Sequence, residues 1–173
     1  MKKGVWLHDP LPLNRDERAR LSVVRSLGIW DAEPHARLDR LVELARFVFE
    51  TPMAAISVID EDQLLFMARA GVDIVTMQRA DTFCAYAIQQ ATPFIVLDTA
   101  ADRRFVTNPL VLEPPHIRFY AGAPIITREG AAIGTLCIFA DRPRSHFGAE
   151  DLRVLLQIAR MATDQIDSLV RNS

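Results

Sequence analysis

Two cysteines, Cys84 and Cys137, have the greatest chemical reach in this 173-residue chain. Cys84 lies in DTFCAYAI. If Asp81 caps a helix there, the thiol falls near the third helical position, where backbone N–H groups and the helix dipole lower a thiol's pKa and favour redox sensing. Asp81 also places a negative charge nearby, and Cys84 precedes Ile88 by one helical turn on an apolar face, so the simpler expectation is a buried, inert cysteine. Cys137, inside an apolar strand, is read as core. The two lie far apart in a chain without an export signal, which argues for free thiols rather than a structural disulfide. His8, His35, His116 and His146 have neither the spacing of helical metal ligands nor a neighbouring Cys pair, so no zinc site is expected. Arg103, Arg104, His116 and Arg118 bracket a long connection and carry the charge to hold an anion. Pairing with Asp98, Asp102 or Glu113 is the simpler role, and Arg118, which opens a strand beside Phe119-Tyr120, is the best ligand candidate of the four. No nucleophile or metal stands beside Asp98 and Asp102, whose expected roles are capping and turns.

The totals limit the function classes. Half the residues are hydrophobic and 24% are charged, an ordinary globular composition. A chain of this length buries roughly 70% of its unfolded surface, enough for a core without staples. Net charge is −2, from 20 basic and 22 acidic residues, and the basic ones are scattered, so nucleic acid is not an expected partner. His8-Asp9-Pro10 interrupts the start of the chain and no later apolar run approaches a membrane span. A cytoplasmic protein without a membrane partner is expected.

The elements that must position these residues follow from periodicity and punctuation. Residues 14–26 have helix-forming composition and end at Leu27-Gly28. A second helix has Pro34 in its first turn and an apolar stripe of Leu38, Leu41, Val42, Leu44, Ala45, Val48 and Phe49 before Thr51-Pro52 stops it. Residues 53–60 and 63–71 read as antiparallel strands around Asp60-Glu61-Asp62. A short helix over 81–90 and a strand over 93–98 follow. The connection 99–117, with a turn of helix near 103–106, has the length of a lid or binding loop. A hairpin over 118–140 and an amphipathic helix over 148–173 complete an α+β order with an antiparallel sheet.

In the hairpin, a two-residue Glu129-Gly130 turn pairs Gly122 with Cys137, Tyr120 with Phe139 and Ala123 with Leu136. Period two then puts Phe119, Ala121, Ala123, Ile125, Gly134, Leu136, Ile138 and Ala140 on one face. Tyr120, Gly122, Pro124, Ile126, Ile133, Thr135, Cys137 and Phe139 share the other. The small residues admit two readings that can hold together, one per face. Helices approach closely over one, and the other keeps a hollow between Tyr120, Gly122, Thr135 and Phe139, capped by Phe83 and Tyr86.

Four ordered stretches, SLGIWDAEPHARLDRLVELARFVFETPMAAISVIDED, DTFCAYAI, VLDTAADRRFVTNPLV and IRFYAGAPIITREGAAIGTLCIFADRPR, resemble a GAF domain of the bacterial signalling type over about residues 25–168. The chain is read as one stand-alone domain with an irregular arm over 1–14. The resemblance implies a GAF/PAS-like antiparallel sheet of five or six strands. Terminal helices lie on one face, often forming a dimer, and a ligand pocket lies on the other under a helix and loops. Phe83, Cys84, Tyr86, Arg118, Tyr120, Gly122, Thr135 and Phe139 are the candidate ligand-binding residues. Where relatives have Phe-Cys-Ala-His, this chain has Phe83-Cys84-Ala85-Tyr86, so a phenol replaces an imidazole. No Cys-His dipeptide or cyclic-nucleotide motif is present, and bilin, haem and cyclic nucleotides are not expected as cofactors. The implied function is a non-catalytic, small-molecule-sensing regulatory module, acting through a helix-mediated homodimer or a separate signalling output protein. The alternatives are a thiol redox switch or reductase centred on Cys84, as in methionine-sulfoxide-reducing GAF proteins, and a structural dimer with no ligand.

Overall fold

The computed structural model describes residues 16–31 and 35–171, so the arm over 1–14 and Pro34 lie outside the described residues. Helix α1 spans Glu17–Ser26, and the Asp16 carboxylate caps it by accepting from the Arg18 and Ala19 N–H groups at 3.0 and 3.3 Å. Helix α2 spans Ala36–Phe49 and ends where Glu50 turns left-handed ahead of Pro52. Strands β1 (Met53–Ile59), β2 (Gln63–Ala70), β3 (Thr76–Gln78), β4 (Phe94–Val96), β5 (Phe119–Ile126) and β6 (Ala132–Ala140) form one six-stranded antiparallel sheet in the order β3-β2-β1-β6-β5-β4. Two four-residue helices, α3 (Cys84–Ala87) and α4 (Pro109–Leu112), precede β4 and β5. Helix α5 (Ala149–Arg171) follows the sheet, and its Asp151 carboxylate reaches back to accept from the Gly148 N–H at 2.8 Å.

The central strands β1 and β6 are buried along their whole length because both faces are covered. Residues of α1, α2 and α5 pack with Ala54, Ile56, Val58, Ala121, Ala123, Leu136 and Ile138 in one core. On the opposite face α3, α4 and Phe105 pack over Met53, Ala55, Ile59, Tyr120, Cys137 and Phe139. The small residues on the helix side, Ala121 and Ala123, are fully buried under this packing.

The hairpin departs from the sequence expectation at its tip. The Gly130 N–H donates to Thr127 O and the Thr127 N–H to Ala131 O, so the loop is the three residues Arg128, Glu129 and Gly130, with Gly130 at φ 79°. This is a type I turn closed by a left-handed glycine. Ile126 therefore faces Ala132, and a bulge restores the expected Ile125–Gly134, Ala123–Leu136, Gly122–Cys137 and Tyr120–Phe139 pairs. The bulge turns Ile133 into the helix-side core, whereas the simple alternation had placed it on the pocket side. Pro124 is tolerated because β4 pairs with β5 only over Tyr120–Gly122, leaving no β4 partner at its level.

Three further expectations change. Asp81 belongs to a 3-10 turn over Arg79–Asp81, and the Thr82 hydroxyl, accepting from the Ala85 N–H at 3.1 Å, fixes the start of α3. Cys84 thus opens a four-residue helix instead of occupying the third position of a longer one. The helical turn in the long connection lies at Pro109–Leu112, capped by the Asn108 side chain, and not near 103–106. Strand β3 is only three residues long, too short to carry a period-two pattern in the sequence.

One polar cluster ties α1 to the sheet. Arg20 is only 4% exposed, and its guanidinium donates to Ile59 O at 2.6 Å and Ala132 O at 3.4 Å. The same group donates to the Glu17 carboxylate at 2.8 and 2.9 Å, and Arg79 donates to Glu17 from the other side. Hydrogen bonding from Arg20, and then from Arg79, outweighs partial burial and lowers the Glu17 pKa to about 2. Because the folded value is depressed, the contribution is complete above about pH 4.5 and is lost as pH falls towards about 2. Glu17→Gln is expected to cost about 1 to 2 kcal/mol, a value discounted for a half-exposed carboxylate facing a buried guanidinium. Urea unfolding at pH 7 and at pH 3 measures this, and the gap between variant and parent should shrink at pH 3.

Candidate functional site

The pocket-side face of the hairpin presents Tyr120, Thr135, Cys137 and Phe139, as alternation requires, and β1 adds Ser57 beside Thr135. Helix α3 then lowers Cys84 onto this row. The Tyr120 hydroxyl donates to Cys84 Sγ at 3.2 Å, as does the Thr135 hydroxyl, also at 3.2 Å. Ser57 Oγ and Thr135 Oγ1 are 3.0 Å apart, and the Cys137 thiol contacts Ala55 O at 3.6 Å. The result is a buried polar chain, Ser57–Thr135–Cys84–Tyr120, inside an apolar core. A buried hydroxyl without a partner is costly, so each of these groups holds the next in place.

Electrostatics distinguish the two thiols. Burial opposes ionisation of Cys84, but donors from Cys137, Thr135, Tyr120 and Ser57 overcome it and lower its pKa from 9.0 to about 7. Cys137 is pushed up, first by its interaction with Cys84 and then by burial. Tyr120 is pushed up by burial and by the neighbouring sulfurs, which keeps its hydroxyl a donor. Cys84 is therefore the thiol that ionises first, and Cys137 and Tyr120 hold protons beside it.

The candidate binding residues separate into two groups. Phe83, Cys84, Tyr120 and Phe139 line a cavity of about 20 Å³, together with Cys137, Met77, Leu110 and other apolar side chains. That is room for a water-sized molecule, far below the several hundred Å³ of a typical ligand pocket. Thr135 stands behind Cys84 in the hydrogen-bond chain. Gly122 does not floor an open hollow, because the Tyr120 ring folds across it: a Cβ there would lie 2.2 Å from the Tyr120 hydroxyl. Gly134 has a different cause, since a Cβ would meet Ser57 O of β1 at 1.7 Å.

Tyr86 and Arg118 lie outside the cavity. Tyr86 is 37% exposed and stacks on Phe94 at 5.8 Å, while Phe105 meets its ring edge-on at 5.0 Å. The cap expected from Phe83 and Tyr86 is built from Phe83, stacked on Tyr120 at 5.1 Å, and Phe105, 4.7 Å from Phe83. Arg118 donates to Val111 O at 2.9 Å and Ile117 O at 3.1 Å, stitching α4 to the start of β5. Arg104 is held by Asp102 at 2.6 Å and lies over the Phe94 ring at 5.0 Å. Among residues not singled out from the sequence, Ser57 and Phe105 matter most. A lone hydroxyl in the apolar run MAAISVI was the available signal for Ser57, whereas Phe105 sat in a stretch without periodicity. No group of three or more metal-ligating side chains stands together among the described residues, and no described helix is long and apolar enough to cross a membrane.

A six-stranded antiparallel sheet with α1, α2 and α5 behind it and a short helix and loops over the other face defines a GAF/PAS-like α+β domain. The chain belongs to the GAF domain family, which it matches over residues 33–166. It is 38% identical over 158 residues to a cyclic di-GMP phosphodiesterase of Pseudomonas aeruginosa; the match takes in 91% of this chain and 27% of that protein. The chain thus spans about a quarter of that relative's length. Among solved structures, free methionine-R-sulfoxide reductase from Neisseria meningitidis superposes with a TM-score of 0.65 at 16% identity, covering 91% of this chain and 92% of that one. The GAF domain of an Acinetobacter phosphoenolpyruvate-protein phosphotransferase does so with a TM-score of 0.58 at 17% identity, covering 89% and 94%. At these identities the two structures establish the fold.

Two outcomes follow from the packing. Gly134→Ala is expected to be the more damaging glycine substitution, since its obstacle is backbone, while Gly122→Ala displaces the Tyr120 ring at about 1 to 3 kcal/mol. Thermal unfolding of both variants orders them. Thiolate absorbance at about 240 nm, taken as the difference between parent and Cys84→Ser, should rise through about pH 7 where an ordinary thiol rises near 9.0.

Proposed function

We propose that this GAF domain is a non-catalytic regulatory module in which the state of the pocket around Cys84 and Tyr120 is passed to α1 and the helical face. The observation that carries this reading is a continuous bonded route. The Thr82 hydroxyl, at the start of α3, donates to Arg79 O at 2.9 Å; Arg79 holds Glu17; and Glu17 holds the buried Arg20 of α1. Displacing the pocket cover therefore strains the clamp on α1, and a small molecule that prefers one arrangement shifts the population of the other. The cavity of about 20 Å³ is closed to anything of nucleotide size unless Tyr120 or its cover moves, so the ligand in this reading is compact and largely apolar.

Output runs through the helical face. Leu44, Phe47 and Val48 on α2 and Met161 on α5 are exposed, Phe47 by 82%, and they offer an apolar strip for a second copy of the chain. The cyclic di-GMP phosphodiesterase relative supports a signalling context. In this reading the shared segment is regulatory, and phosphodiester hydrolysis belongs to an output protein or segment acting with it.

The test uses a cavity that can be refilled. Tyr120→Ala is expected to cost about 3 to 5 kcal/mol and to raise hydrogen exchange in α1, and added phenol should fill the space and restore protection there. Protection of α1 that ignores phenol while phenol demonstrably binds would end the coupling. Phe47→Glu should convert dimer to monomer in sedimentation, and an unchanged association state would remove the α2 strip as the interface.

A further inference from the structure

We propose that Cys84 and Cys137 form a peroxide-oxidisable dithiol whose closure into a disulfide is the covalent signal of this pocket. Both thiols line the same small cavity, Cys84 from α3 and Cys137 from β6, and Thr135, two residues before Cys137 on the same face of β6, donates to the Cys84 sulfur at 3.2 Å. The cavity holds about 20 Å³ and is otherwise apolar, so it admits a molecule of one or two heavy atoms and excludes bulky oxidants. Hydrogen peroxide has that size. The two hydroxyls bonded to Cys84 Sγ, from Tyr120 and Thr135, are donors that stabilise a thiolate and are placed beside an oxygen leaving it. The lowered Cys84 pKa gives an appreciable thiolate fraction at neutral pH, and the raised one keeps Cys137 protonated until it is needed.

The chemistry closes without another reagent. The Cys84 thiolate attacks one peroxide oxygen and the O–O bond breaks. The second oxygen leaves as hydroxide and takes up the proton Cys84 released, giving water and a sulfenic acid on Cys84. The Cys137 sulfur then attacks the Cys84 sulfur, its proton goes to the departing hydroxide, and a second water leaves as the S–S bond forms. Two thiols have lost two electrons and the peroxide has gained them. The bond ties α3 to β6, at the point where Thr82 connects α3 to Arg79 and the α1 clamp. This deepens the regulatory reading by naming the signal's chemistry, and rests on that reading only for transmission to α1.

The experiment treats the reduced full chain with hydrogen peroxide, quenches it with iodoacetamide in denaturant and maps the peptides. Expected are a mass loss of about 2 Da, a linked Cys84–Cys137 peptide, and a fall from two alkylated thiols to none. Tert-butyl hydroperoxide, too large for the cavity, should react about tenfold more slowly. Cys137→Ser should trap a sulfenic acid on Cys84, captured by dimedone added together with the denaturant, and Cys84→Ser should leave Cys137 unoxidised. Should either variant fail to fold, the parent's peptide map and a rate that rises through about pH 7 still decide the question. Two free thiols after peroxide, a disulfide only between molecules, or equal rates with the two peroxides would overturn the proposal. A disulfide that forms while hydrogen exchange in α1 stays unchanged would leave the dithiol standing and remove its transmission to α1.

Discussion

The hydrogen bond from the Tyr120 hydroxyl to Cys84 Sγ, at 3.2 Å, governs the pocket face of this domain. To reach the sulfur the phenol must lie along the sheet, and it can do so only because its neighbour but one in β5 is Gly122. That posture lets Phe83 stack on the ring and brings Phe105 against Phe83. It also reduces the cavity to a remnant beside the two thiols. Across the strand ladder, Gly134 answers to the main chain of β1, and the alanines behind the sheet answer to α2 and α5. Small residues that look alike in the sequence therefore have three separate causes: a ring, a backbone and a helix.

The other organising constraint is a buried cation. Arg20 sits almost out of solvent, and its guanidinium is stabilised by the Ile59 and Ala132 carbonyls and by Glu17, which Arg79 shares. A buried charge is strongly destabilising when one partner is removed, so the clamp behaves as a unit. It joins the end of β1, the start of β6, the turn ahead of α3 and the first turn of α1, four places that hydrophobic packing alone would leave independent. Packing gives the domain its layers, and this ion cluster gives those layers a mechanical relation.

What the sequence reveals follows the range of the interaction involved. Periodicity suffices for α2, α5 and the long strands, because each buries a continuous face. The body of the hairpin is legible too, since its register is tied to a strong turn signal. The tip is not, because a three-residue loop with a compensating bulge at Ile133 preserves every pair except those beside the turn. Helix α4 was legible in retrospect: Asn108-Pro109 is a cap followed by the residue best suited to a first helical turn. The site shows the same division. Alternation places Tyr120, Thr135 and Cys137 on one face, but where α3 docks depends on the tertiary fit of Phe83 and Phe105. The approach of Cys84 to Cys137 therefore has no local sequence signature.

A pocket of about 20 Å³ is a reasonable resting state for a regulatory domain, and its size favours some signals over others. Any guest that must move Tyr120 breaks the bond to Cys84 and the stack on Phe83, and its apparent affinity falls by the fraction of molecules already open. A molecule of one or two heavy atoms avoids that penalty, but it also gains little binding energy, because binding energy scales with the atoms that make contact. Reversible occupancy by something so small cannot hold a conformational equilibrium far to one side. A covalent bond can, and the two thiols are the groups lining the cavity that could form one with each other. The small cavity and the paired sulfurs thus favour the same kind of signal, one that is compact, reactive and recorded in a bond between α3 and β6.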